Sequence, residues 1–218
     1  MLLSFLPQTF LDCLIENMEF DVLILGGGVA GMSCALILGS ARQKPFAKDK
    51  KIGVVLHQKS SALDGAIFNN VLGLKPATKG SDILREGKDH LISTYPEVAL
   101  VEKEKVTSVV KSDSGYLIGT NKNNYSAKIV VVAVGPSNLF DIKGLNQYVI
   151  PHKNLPPAKK RIQLKNKDHL IVENMYAAGV IAGYRSQYAI AAGSGTQVAT
   201  DILTIWNQGQ TTMIHDAE

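Results

Sequence analysis

Residues 21–31 read DVLILGGGVAG, and residues 32–41 continue MSCALILGSA. Apart from Asp21, Phe20–Leu25 is apolar throughout, the pattern of a parallel strand covered on both faces. Val29–Ala41 is a run of small and branched, mostly apolar residues and reads as a helix. Between the two, the glycines are spaced Gly26-x-Gly28-x-x-Gly31, and each has a steric reason. Gly26 permits the tight turn out of the strand. Gly28 has no side chain, so a diphosphate can approach the backbone. Gly31 lets the helix pack close to the strand. The helix start at Val29 and Ala30 offers free N–H groups and the positive end of its dipole to an anion. The bend therefore reads as a seat for a dinucleotide diphosphate. The spacing carries weight because a buried strand precedes it and an apolar helix follows.

KIGVVLH (51–57) is a second buried strand and completes a strand–glycine turn–helix–strand unit. An Asp or Glu ordinarily follows it and grips the adenosine ribose; here the place is His57-Gln58-Lys59. His57 or Gln58 can hydrogen-bond a ribose hydroxyl, and Lys59 can favour a 2′-phosphate and hence NADP. All three can equally be surface residues at a strand end, so the triplet does not choose the cofactor. Gly80–Tyr95 has helical spacing, with Ile83, Leu84, Gly87, Leu91 and Ile92 on one side. Val98–Val101 is a short strand. Residues 104–128 alternate polar and apolar around Asp113–Gly115, an antiparallel hairpin or three-stranded meander. IVVVAVG (129–135) is a fully buried strand ending in glycine, and PHKNLPPAKK (151–160) is loop. NMYAAGV (174–180) is a last buried strand, and Ala189–Trp206 a last helix.

A chain of 218 residues has the size of one large domain or two small ones, and 45% hydrophobic with 19% charged residues is ordinary for a globule with a substantial core. The net charge of +4 is mildly basic. Its densest basic stretch, PPAKKRIQLKNK (156–167), has no interleaved aromatic residue and reads as a solvated loop, not a nucleic-acid surface. The two cysteines, Cys13 and Cys34, form no CxxC pair and no metal-ligand spacing, so no metal site is expected and a reducing cytoplasm is the natural compartment. No apolar run approaches the length needed to cross a bilayer. The oily opening MLLSFLPQTFLDCLIENM lacks the basic start of a signal peptide.

Residues 175–203, MYAAGVIAGYRSQYAIAAGSGTQVATDIL, resemble the C-terminal flavin motif of the thioredoxin reductase branch of the FAD-dependent pyridine nucleotide–disulfide oxidoreductases. In that family a strand ends in Ala-Ala-Gly-Asp at the ribityl phosphate. A Gln-containing segment then opens a helix pointing at the flavin pyrimidine. Ala177-Ala178-Gly179 and Gln187–Gly195 match this pattern. VVVAVG (130–135), followed by NLFDIKGL (138–145), is similar to the family's Ala-Thr-Gly strand and the segment after it. The resemblance thus covers three separated pieces in the right order.

It implies an α/β, Rossmann-like three-layer FAD/NAD(P)-binding domain with a small antiparallel sheet inserted near residues 105–127. Residues 1–18 would be an N-terminal extension and 19–218 a single FAD-binding domain. FAD would lie extended, its diphosphate over Gly26, Gly28, Val29, Ala30 and Gly31. Its adenosine would reach His57, Gln58 and the backbone near Val106, with Ala133 and Gly135 at the end of the central strand. Its flavin would lie near Gly179, Val180, Gln187, Tyr188 and Ala189. A helix end beside the flavin N1–C2 carbonyl would favour the reduced, anionic form.

The chain also departs from that family. Val180 stands where the family has Asp, removing a carboxylate partner for the ribityl chain. The interval from Gly135 to Gly179 is too short for a second nucleotide-binding domain and contains no second GxGxxG, so the resemblance is to the flavin half. No redox CxxC is present, and Cys34 is expected to be a core residue. The implied function is an FAD-dependent oxidoreductase supplied with electrons by a partner protein or a diffusing reductant, and a half-sized chain with an exposed flavin face suggests a homodimer. Two alternatives are an NAD(P)-binding oxidoreductase that uses the glycine loop and Lys59, and a non-enzymatic flavin sensor or assembly subunit. No catalytic residue is assigned. His57, His90, His152, His169 and His215 are scattered and expected on the surface. Tyr184, Arg185 and Tyr188 flank the expected flavin edge, with Tyr188 placed to stack on the ring or gate it. Asp64 and Asn69-Asn70 are expected beside the isoalloxazine.

Overall fold

A computed structural model describes residues 18–57, 61 and 63–214. Residues 1–17 of the expected extension, together with Gln58, Lys59 and His215, lie outside the described residues, as does Cys13 among the first of these; Met18 belongs to the first strand.

The elements in chain order are β1 (Met18–Leu25), α1 (Val29–Ser40), β2 (Ile52–Leu56), β3 (Ile67–Phe68), β4 (Thr78–Lys79), α2 (Gly80–Thr94), β5 (Ala99–Glu102), β6 (Val106–Ser112), β7 (Gly115–Thr120), β8 (Asn124–Val132), β9 (Val149–Pro151), β10 (Ile162–Leu164), β11 (Leu170–Val172), β12 (Met175–Ala177) and α3 (Tyr188–Trp206). A 3₁₀ turn over Gly179–Ala182 connects β12 toward α3.

The main sheet has the order β11-β12-β8-β1-β2-β5, with β7 pairing β8 and β6 pairing β7. β12, β8, β1, β2 and β5 run parallel, while β11 is antiparallel. The chain leaves β1 through α1 to β2 on one side, and β8 returns on the other side of β1. That places a topological switch point at the carboxyl end of β1, where open α/β sheets bind ligands.

β8 is longer than its sequence suggests. The third strand of the meander and the buried strand at 129–132 are one strand. Its first half pairs β7 antiparallel at Asn124–Ala127, and its second half pairs β12 parallel at Val130–Val132. The expected antiparallel insert is therefore hydrogen-bonded into the main sheet.

Side chains alternate across the strands. Val22 and Ile24 of β1, Ile129 and Val131 of β8, and Ile52 and Val54 of β2 pack with α1, α3 and Leu91 of α2. Leu23, Leu25, Val130 and Val132 face the opposite side, against Val109, Ile118, Leu145, Leu164 and Ile181. Period-two burial on both faces yields three layers: helices, parallel sheet, and the meander with its following loops.

α1 and α3 approach so closely that a Cβ on Gly195 would sit 1.9 Å from the Ala30 carbonyl oxygen. Gly193, two residues earlier and so on the opposite side of the same helix, meets nothing within 4 Å. Gly195→Ala is expected to destabilise by about 1–3 kcal/mol through overpacking. Gly193→Ala is expected to be neutral or stabilising by up to about 1 kcal/mol. Urea unfolding of the two variants beside the parent measures the difference.

Candidate cofactor cleft

The segments that follow β1, β2, β8 and β12 meet at one edge of the sheet. They enclose a cleft of about 620 Å³, within the range of cofactor sites. Its floor is backbone: Gly26–Ala30 after β1, Ala133–Pro136 after β8, and Ala178–Val180 after β12. His57, directly after β2, also lines it. Gln187, the N-cap of α3, and Tyr188 and Ala191 within it also line the cleft, as do Leu63, Ala66 and Phe68. Tyr188 packs edge-on against Phe68, ring centroids 5.5 Å apart. A smaller recess of about 320 Å³ between α1 and α2 shares Gly28, Val29, Leu63 and Tyr188 with it.

The three motif glycines carry separate constraints. Gly26 adopts φ +115°, and a Cβ there would lie 2.7 Å from the Ala133 carbonyl oxygen. A Cβ on Gly31 would lie 1.9 Å from the Gly26 carbonyl oxygen. A Cβ on Gly28 would meet no protein atom within 4 Å and would project into the cleft region. Gly26 and Gly31 thus shape the turn, and Gly28 keeps its outer surface clear.

Two helices begin on this cleft. α1 has Gly28 as N-cap and α3 has Gln187; neither has a side-chain cap or an acidic residue in its first turn. Their leading amides and positive dipole ends therefore remain available to an anion. Among the described residues that line the cleft there is no Asp, Glu, Lys or Arg.

Of the residues singled out in the sequence, Gly26, Gly28, Val29, Ala30, His57, Ala133, Gly135, Gly179, Val180, Gln187 and Tyr188 come together on this wall. Gly31 lies behind it, in the contact between turn and helix. Val106 opens β6 with its side chain in the core, and Ala189 is exposed in the first turn of α3; neither lines the cleft.

Three expectations need correction. Asp64 and Asn69 are engaged within their own loop, accepting from Ser61 N–H (2.6 Å) and Ala77 N–H (2.8 Å), and neither they nor Asn70 line the cleft. Tyr184 stacks on His169 at 5.0 Å instead of facing the cleft. His152 and His169 are not surface residues: they are 7% and 5% exposed, and both bond to backbone carbonyls beside the cleft. Ser61, Leu63, Ala66, Phe68, Pro136 and Ser186 were not singled out, because only the fold brings their loops to the β1 turn.

No group of His, Cys, Asp and Glu that can hold a metal exists among the described residues, and no described helix is long and apolar enough to cross a membrane.

A model of the pyridine nucleotide-disulphide oxidoreductase family matches residues 20–209. The chain belongs to that family. Ferredoxin–NADP reductase 1 of Lysinibacillus sphaericus is 24% identical over 166 residues, covering 72% of this chain and 45% of the relative. An oxidoreductase of Bacillus velezensis, CzcO, is 24% identical over 196 residues, covering 84% of this chain and 52% of the relative. The chain spans about half the length of these curated relatives. Among solved structures, thioredoxin reductase of T. acidophilum superposes with a TM-score of 0.62 at 17% identity, covering 88% of this chain and 99% of the other. A ferredoxin-flavin thioredoxin reductase from Clostridium acetobutylicum gives 0.66 at 16% identity, covering 88% and 100%. The fold is therefore that of the thioredoxin reductases.

Cys34 lies in α1 with no exposure, and burial pushes its thiol pKa far up, so it is not a nucleophile in the folded chain. Cys34 is expected to resist iodoacetamide in the native protein and to react fully in guanidinium chloride, as read by peptide mass mapping.

Proposed function

We propose that the cleft binds FAD and that the chain is an FAD-dependent oxidoreductase whose electrons come from a partner protein or a diffusing reductant. The observation that carries this reading is the convergence of two helix N-termini without side-chain caps on one backbone-walled cleft whose described lining residues include no carboxylate. An extended dinucleotide with an anionic centre and a second electron-rich end matches that pair of positive poles.

The amides at Gly28, Val29 and Ala30 would hold the diphosphate, and the clear space outside Gly28 admits its oxygens. His57 would lie at the adenosine end. Val180, Gln187 and Tyr188 would border the isoalloxazine, with Phe68 supporting the Tyr188 ring. FAD, when bound, supplies the electron-transfer chemistry. The chain's own residues bind it, orient it and set the field around it. The pole at the start of α3 favours negative charge at the facing end of the ligand, and no lining Asp or Glu among the described residues opposes it. We take residues 19–218 as one FAD-binding unit. Between β8 and β12 the described chain forms short strands and turns, with no second strand–glycine turn–helix unit.

An NAD(P) nucleotide in the same groove is the competing reading. The purified protein is expected to be yellow, and boiling is expected to release FAD, identified by chromatography. A colourless protein that releases NAD(P), or takes up no added flavin, overturns the proposal. Gly28→Val is expected to abolish flavin retention while leaving the circular dichroism spectrum and melting temperature near those of the flavin-free parent, because a Cβ at this position meets nothing within 4 Å.

A further inference from the structure

The turn that follows β12 is held from behind by five side chains. His169 Nδ1 donates to the Ala177 carbonyl at 3.0 Å. Ser194 Oγ accepts from Gly179 N–H at 2.7 Å. His152 Nε2 donates to the Val180 carbonyl at 2.9 Å. Asn166 Nδ2 donates to the Ala182 carbonyl at 3.0 Å, and Asn154 Nδ2 to the Gly183 carbonyl at 2.7 Å. Two glycines at positive φ frame the segment, Gly179 at +78° and Gly183 at +93°. Ala178, Gly179 and Val180 are also the part of the turn that lines the cleft.

The protonation pattern of His152 is fixed by its neighbours. Asn154 N–H donates to Nδ1 at 3.1 Å, so the ring proton sits on Nε2 and points at Val180. His169 occupies the left-handed region at φ +72°, directly after Asp168 at +48°. Two successive non-glycine residues in that region are held only where surrounding structure over-determines them. Here the His169 carbonyl accepts Ala177 N–H at 2.8 Å while its ring returns a bond to the Ala177 carbonyl. Val180 itself offers the cleft only backbone and an apolar side chain.

We infer that His152, His169 and Ser194 are positioning residues that fix the Ala178–Val180 wall of the cleft through backbone bonds made on its far side. The inference rests on the FAD reading for its ligand, but the clamp itself is a property of the protein without ligand. It assigns function to two buried histidines that do not line the cleft.

His152→Asn and His152→Gln separate this role from general packing. Asn keeps an acceptor at the Nδ1 place but is too short to reach Val180; Gln places an amide donor where Nε2 stands. In His152→Asn the FAD dissociation constant is expected to rise about tenfold, the cost of one lost hydrogen bond. His152→Gln is expected to stay near the parent. Ser194→Ala is expected to weaken FAD similarly, and Ser194→Thr to restore it. Hydrogen exchange of the flavin-free protein is expected to quicken at Val180–Gly183 in His152→Asn and not in His152→Gln, with the β1 and β8 amides unchanged. Equal flavin affinities and equal exchange for Asn and Gln overturn the inference, as does exchange that quickens evenly across the sheet. If the parent takes up no flavin, the FAD reading fails and the exchange comparison alone decides the clamp.

Discussion

The structure depends on one close approach. Ala30 at the start of α1, Gly179 at the end of β12 and Gly195 in α3 come together with no room for a side chain between them. A Cβ on Gly179 would stand 2.8 Å from that of Ala30, and one on Gly195 would stand 1.9 Å from the Ala30 carbonyl oxygen. Because packed interiors do not yield by an ångström without cost, this contact fixes where both helices begin relative to the sheet. The same contact leaves the cleft with walls of backbone. Two helix poles aimed at one space follow from packing geometry first; anion affinity is its consequence.

That order of causes decides what was legible in the sequence. The turn after β1 is local: a buried strand, three glycines and an apolar helix are contiguous, and each glycine does in space what its place suggested, Gly26 by its positive φ and Gly31 by its contact with the Gly26 carbonyl. α3 was legible for the same reason, beginning at Tyr188, one residue before its expected start. β8 was split in reading because its exposure changes along its length. Its first half alternates against the meander and its second half is buried on both faces, and no residue marks the join. β11 and the β9–β10 hairpin are three-residue strands whose partners are chosen by tertiary contact, where propensity decides little.

The site was legible in its backbone and not in its supports. Glycines announce a conformation that few other residues adopt, so they can be read one at a time. A histidine announces nothing until its partner is known. His152 reaches Val180 across 28 positions and Ser194 reaches Gly179 across 15, so neither pair has a sequence period. Scattered histidines therefore read as surface groups, whereas two of the four among the described residues, His152 and His169, are buried and bonded to backbone beside the cleft. The sequence held one faint signal: the repeated return of polar residues, His152, Asn154, Gln163, Asn166 and His169, within a segment that must pass close to the end of β12.

A cleft made this way also explains how the fold can hold at 16–17% identity to the solved flavoproteins it superposes on. Backbone amides, helix poles and glycine clearances do not depend on most side-chain identities, so long as small residues occupy the few crowded positions. What side chains then control is finer: how rigidly each wall is held and what charge it carries. Here the lining residues among those described carry no formal charge, and rigidity is supplied by neutral donors and acceptors behind the wall. A neutral support costs little desolvation when buried and adds no field of its own. The two helix ends therefore remain the dominant electrostatic feature that a bound anion would meet.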